Sequence, residues 1–179
     1  MALTIAEAAA ALARGEVVAF PTDTVYGLAV RPGAEERVYA IKERPRGLPL
    51  ILMAATIGEL EAFAVFDDRA RELARRWWPG PLTLVLPAVE DGTLGVRIPD
   101  HPIALDLLRA AGPLLTTSAN RHGEPEALTA DSAAGLAGLA GVIDGGRVPG
   151  GTPSTVLSLA GAQPEVLRAG AVASRELLL

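Results

Sequence analysis

The chain has 179 residues, half of them hydrophobic and only 4% aromatic, with no cysteine and a formal net charge of −5. That length favours one domain, 1–179, with a core of Ala, Val, Leu and Ile, and the apolar content argues against disorder. The missing cysteines exclude a disulfide framework, a thiolate zinc site and a cysteine nucleophile, two histidines are too few for a histidine-rich metal site, and the acidic balance speaks against coating nucleic acid.

The opening MALTIAEAAAALARGE lacks a basic n-region and carries Glu7 inside its apolar part, so it reads as a helix and not as a signal peptide. Thr4 and Glu7 form a capping box, and Gly15 closes that helix. VVAF is a short strand, PTDT a turn-like interruption and VYGLAV a second strand. Apolar Val38, Tyr39 and Ile41 among charges predict an amphipathic helix over 33–44, ended by Pro45. PLILMA reads as a buried strand. Helices follow over 57–63 and 67–77, the latter opened by paired aspartates where the helix dipole favours them.

WWPGP is a rigid turn, with Trp77 and Trp78 at a packing corner. The strands TLVLP and LGVRI follow, then the helix HPIALDLLRAAG with His101 ordering its entry. LLTT is a strand running into the polar loop SANRHGEPE, where His122 is a surface residue. Small residues predict a helix over 131–140. VIDGG, STVLSL and EVLRAG are short extended pieces, and the last ten residues read as helical. Interleaved strands and helices predict an α/β fold with a mixed sheet. No apolar run approaches the roughly 20 residues needed to span a bilayer, which points to the cytoplasm.

Polar clusters sit where α/β folds place ligands, at strand ends: PTDT, KERP, VRIP and TTSAN, with GGTPSTV before a strand and Arg168 ending another. No Walker A run or G-x-G-x-x-G is present. Of sixteen basic residues fifteen are Arg, and the one lysine, Lys42, lies in KERP. Lys42, Arg44, Arg97 and Arg168 beside Thr22, Thr116, Ser118, Asn120 and Ser154 suit phosphate and carboxylate, because guanidinium forks bind oxyanions in pairs and an ammonium acts as a point charge. Arg97 stands inside an apolar strand, where an unpaired guanidinium is costly. Ser118 and Asn120 serve either a ligand or the turn itself.

FPTDTVYGLAV, KERPRGLPLIL, WWPGPLTLVLP, GVRIPDHPIA, TTSANRHGEP, IDGG…GGTPSTV and LRAG, in this order from about residue 15 to about 172, resemble the YrdC-like threonylcarbamoyl-AMP synthases. The resemblance implies a twisted α/β sheet enclosing a deep positive cavity. It implies an enzyme, a nucleotidyltransferase that makes threonylcarbamoyl-AMP and pyrophosphate from L-threonine, bicarbonate and ATP with Mg2+. Partner transferase proteins would then modify the adenosine next to the anticodon in tRNAs reading ANN codons, with tRNA met indirectly or weakly and no membrane or resident metal involved. Lys42 and Arg44 would be catalytic at the triphosphate. Thr22, Arg97, Thr116 and Ser154 would bind L-threonine, and Arg44, Ser118, Asn120 and Arg168 the nucleotide.

The chain departs from the family pattern at four places. Leu48 and Met53 stand where many relatives have Asn and His, Pro153 where longer ones have Glu, and Glu126 where a small polar residue is common. The C-terminal extension of two-domain relatives is not expected. The alternative reading is a non-catalytic module of the same fold that binds tRNA or double-stranded RNA; a steep salt dependence would mark it. A carbamoyl-adenylate role like that of hydrogenase maturation proteins would need zinc-finger and acylphosphatase segments, for which 179 cysteine-free residues leave no room.

Overall fold

Short runs such as TLVLP and GVRIP alternate in side-chain chemistry, so each strand buries one face and leaves the other for different use. The computed structural model describes residues 1–43, 45, 48–121 and 123–177. Its strands are β1 (Val18–Phe20), β2 (Gly27–Val30), β3 (Ile51–Met53), β4 (Leu82–Pro87), β5 (Thr93–Arg97), β6 (Leu114–Ser118), β7 (Gly141–Val142), β8 (Thr155–Ser158) and β9 (Glu165–Arg168). They form one mixed sheet in the order β7-β1-β2-β6-β3-β5-β4-β8-β9. The β1/β7, β3/β5 and β4/β8 pairs are parallel and the others antiparallel.

The helices are α1 (Ile5–Ala13), α2 (Glu35–Lys42), α3 (Ile57–Glu61), α4 (Asp68–Trp77), α5 (Pro102–Ala111) and α6 (Ala130–Ala134). Thr4 and Glu7 make the expected capping box on α1, and Asp67 caps α4 by accepting from the amide of Ala70 at 2.7 Å. Three apolar clusters hold the helices to the sheet. One joins Leu60, Leu73 and Ala74 of α3 and α4 to Leu52, Leu82, Leu84, Leu86, Val96 and Leu157. A second packs α1 and α5 on Phe20 and Ala29, and a third packs Val38 and Ala133 on Ala19, Leu28 and Val30. Trp78 is buried at its corner, edge-on to Phe66 and donating to the Leu82 carbonyl at 2.7 Å.

Three expectations from sequence are corrected. The helix expected over 131–140 is only Ala130–Ala134, since Gly135 and Gly138, the latter at φ 92°, interrupt a weakly helical stretch. The C-terminal helix is a single 3-10 turn, Ser174–Glu176, among the described residues. Helix α2 ends before the proline: Glu43 takes a left-handed cap at φ 51°, two residues ahead of Pro45. His101 sits at the entry of α5, yet its side chain makes no capping bond there.

Candidate active site

The strand face turned away from the leucine cluster carries the chemistry. Leu82, Leu84 and Leu86 point into that cluster, while Thr83 and Val85 point the other way; Leu94 and Val96 alternate likewise with Thr93, Gly95 and Arg97, and Leu52 with Ile51 and Met53. Together with Thr116, Ser118, Ser154 and Arg168 these outward residues line a cleft of about 510 Å³. That volume suits a small-molecule ligand.

Two loops wall one end. Thr22 folds PTDT into a tight turn: its Oγ1 donates to the Val25 carbonyl at 2.6 Å and accepts from the amides of Thr24 and Val25. The loop at 150–154 crosses over this turn so closely that a Cβ at Gly150 would lie 1.7 Å from the Thr24 carbonyl oxygen. Only glycine permits that approach. The crossing delivers buried Ser154, whose Oγ lies 2.8 Å from Thr83 Oγ1. Arg168, exposed on the rim, donates to the Ser154 carbonyl at 2.9 Å and to its Oγ at 3.1 Å.

Arg97 is 3% exposed and held on three sides. Its Nε donates to the Gly80 carbonyl at 3.0 Å, Nη1 to Thr24 Oγ1 at 3.2 Å, and Nη2 to Asp23 Oδ1 at 2.6 Å. Burial disfavours its charge, Asp23 offsets that only in part, and the positive charge of Arg168 works against it in turn, so its pKa lies below the ordinary value. Burial likewise lowers Arg168, with Glu126 opposing. Two guanidiniums therefore face one cavity and repel one another, an arrangement that an entering anion relieves. The described charged residues of the lining are Arg97, Arg168 and Glu126.

Of the residues picked from sequence, Thr22, Arg97, Thr116, Ser118, Ser154 and Arg168 come together in this lining. Thr116 spends its hydroxyl proton on the Ile51 carbonyl at 2.9 Å. Lys42 and Asn120 are not brought to the described cleft wall. The Lys42 side chain is buried, and its Nζ donates to the Ser118 carbonyl and, at 2.6 Å, to that of Asn120. Asn120 turns its amide to the carbonyls of Arg121 and Glu124 at 3.0 and 2.7 Å, closing its own loop. Arg44 and His122 lie outside the described residues.

Sequence reasoning passed over Asp23, Thr24, Thr83 and Gly95. Asp23 and Thr24 stood in a cluster already singled out, and Thr83 was the one polar residue in TLVLP, which is a signal in itself. Leu48 and Met53, two of the departures from the family pattern, line the cleft, and pairing of β3 with β5 sets Met53 beside Arg97. Among the described residues, no three His, Asp or Glu side chains gather as a metal site, and no helix is long and apolar enough to cross a membrane.

The family model Sua5_yciO_yrdC, described as "Telomere recombination", matches residues 10–170. The threonylcarbamoyl-AMP synthase of Bacillus subtilis (strain 168) is 42% identical over 190 residues, covering 97% of this chain and 55% of that protein. Pyrococcus abyssi Sua5 complexed with L-threonine is similar at TM-score 0.92 and 38% identity, over 97% of this chain and 56% of that one. E. coli YciO is similar at TM-score 0.84 and 29% identity, over 98% of this chain and 92% of that one. The chain spans 55% of the length of its B. subtilis relative and of the P. abyssi threonylcarbamoyl-AMP synthase.

Proposed function

Because this chain belongs to the Sua5–YciO–YrdC family, we propose that it converts L-threonine, bicarbonate and ATP into threonylcarbamoyl-AMP, pyrophosphate and water. The observation that carries the reading is the pair of guanidiniums, Arg97 and Arg168, facing one hydroxyl-lined cavity about the size of an amino acid with a nucleotide. The family's threonine-bound relative and the synthase named among its members support the same chemistry.

The cleft divides by its groups. Arg97, with Thr22, Thr116 and Ser154 around it, takes the threonine end, and the free N–H groups of Arg97 meet the carboxylate. Arg168 and Ser118 take the nucleotide end, and family similarity gives Arg44 a nucleotide role as well. Lys42 stands behind Ser118 and sets its charge at the end of that strand, while Asn120 shapes the loop beyond. The threonine amine and bicarbonate give a carbamate with loss of water. A carbamate oxygen then attacks the α-phosphorus in line, the bond to the β-phosphate bridging oxygen breaks, and pyrophosphate leaves with the growing charge. Mg2+ enters as MgATP and shares that charge with the cationic side chains. The protein's contribution is positioning and charge neutralisation.

The product goes to partner transferase proteins that modify tRNA, in the cytoplasm. The RNA-binding alternative has less behind it, since the net charge is −5 and the relatives are named as synthases. Incubation with ATP, Mg2+ and bicarbonate, with L-threonine, with serine or with neither, tests the proposal by pyrophosphate release. Threonine-dependent release is expected. Release that ignores threonine, or none at all, would overturn it.

A further inference from the structure

Arg97 carries five N–H donors, and the protein itself takes one from each nitrogen. Two have no partner among the described residues, one on each terminal nitrogen, on a residue that lines the cleft. Where they point depends on what grips the other side of the fork. The Gly80 carbonyl holds Nε, and the bond to Thr24 Oγ1 at 3.2 Å is long. The short, charge-assisted bond is to Asp23, at 2.6 Å, between a guanidinium 3% exposed and a carboxylate 13% exposed. Asp23 itself is not part of the cleft lining, so it meets no ligand directly. Its second oxygen, Oδ2, is buried without a hydrogen-bond partner among the described residues. A half-satisfied carboxylate is a cost to folding, and here its one strong bond is to Arg97.

We propose that Asp23 is a positioning residue for the amino-acid end of the cleft, holding the Arg97 guanidinium so that its two remaining N–H groups face the substrate carboxylate. The proposal rests on the functional reading above for the identity of that carboxylate, and on geometry alone for the tether. Asp23 acts through Arg97, so its loss weakens amino-acid binding and leaves nucleotide binding and the chemical step alone.

Steady-state pyrophosphate release from wild type, Asp23→Ala and Asp23→Asn tests this, with melting curves to verify folding. Asp23→Ala is expected to raise KM for L-threonine at least about tenfold, with KM for ATP and kcat at saturating threonine within about twofold. Asp23→Asn keeps an oxygen where Oδ1 accepts and is expected to recover most of the loss. An unchanged threonine KM, an equal rise in both KM values, or Asn behaving as Ala overturns the proposal. A second measurement is independent of any substrate: side-chain NMR of the Arg97 N–H groups, protected from exchange in the wild type and averaged in Asp23→Ala. If those signals stay protected without Asp23, the tether lies elsewhere and the proposal fails. If they collapse while wild type shows no threonine-dependent release, the tether stands and the functional reading is what has failed.

Discussion

The compact ammonium of Lys42 sits where two backbone carbonyls, those of Ser118 and Asn120, turn inward at the end of β6. A planar guanidinium does not fit between two such oxygens as a point charge does, which gives a physical reason for a single lysine in an arginine-biased chain. Removing it leaves two partly buried carbonyl oxygens short of a donor. Lys42→Ala is therefore expected to lose about 1–3 kcal/mol of stability in urea unfolding as well as activity. The family resemblance placed Lys42 at the triphosphate, a role whose loss by itself costs turnover and not stability. An alanine variant as stable as wild type would return Lys42 to a role at the ligand alone.

Elements supply the cleft through their period of two. Strand β5 places Gly95 on the floor between Ile51 and Thr83, where a Cβ would rest at ordinary contact distances of 3.5 and 3.6 Å. A methyl group fits there, whereas a longer side chain has only the cleft to enter. Gly95→Ala is expected to keep near-wild-type activity, and Gly95→Leu to keep its melting temperature while pyrophosphate release drops at least about tenfold. Equal activity of the two variants would show that ligand does not lie over the floor. The strands TLVLP and GVRIP were readable from sequence, but only the antiparallel pairing of β4 with β5 put Thr83 and Arg97 on one face. Helix lengths were less readable: the 131–140 stretch carries small residues compatible with helix, but α6 stops at Ala134, with Gly135 at its C-cap and Gly138 at φ 92° beyond it.

At the scale of the whole molecule, one partly buried ring bears on stability toward acid. Burial holds the His101 imidazole below its ordinary value near 6.5, with Asp23 and Asp100 opposing in part, and its place at the start of α5 further disfavours a positive charge. As pH falls, the unfolded chain takes up the proton before the folded one does. The stabilisation from the neutral ring is thus full above about 6.5 and is lost as pH drops below that value toward the depressed folded one. His101→Gln is expected to flatten the melting temperature against pH between about 7 and 5. A slope identical to wild type would assign the loss to carboxylates instead.

What the sequence determined by itself was local and chemical. Capping boxes, strand alternation, the α/β class and a set of arginines and hydroxyls at strand ends all follow from propensity and spacing, which act over a few residues. Only the tertiary structure decided which of those groups share a space. It brought Thr22, Arg97, Thr116, Ser118, Ser154 and Arg168 to one cleft, turned Lys42 and Asn120 toward backbone carbonyls, and set Asp23 behind Arg97. Those outcomes depend on contacts between residues some 75 positions apart, such as Asp23 with Arg97 and Lys42 with Ser118. Pairing at that separation is fixed by sheet register and by loop crossings like that of Gly150 over Thr24, and no local pattern encodes either.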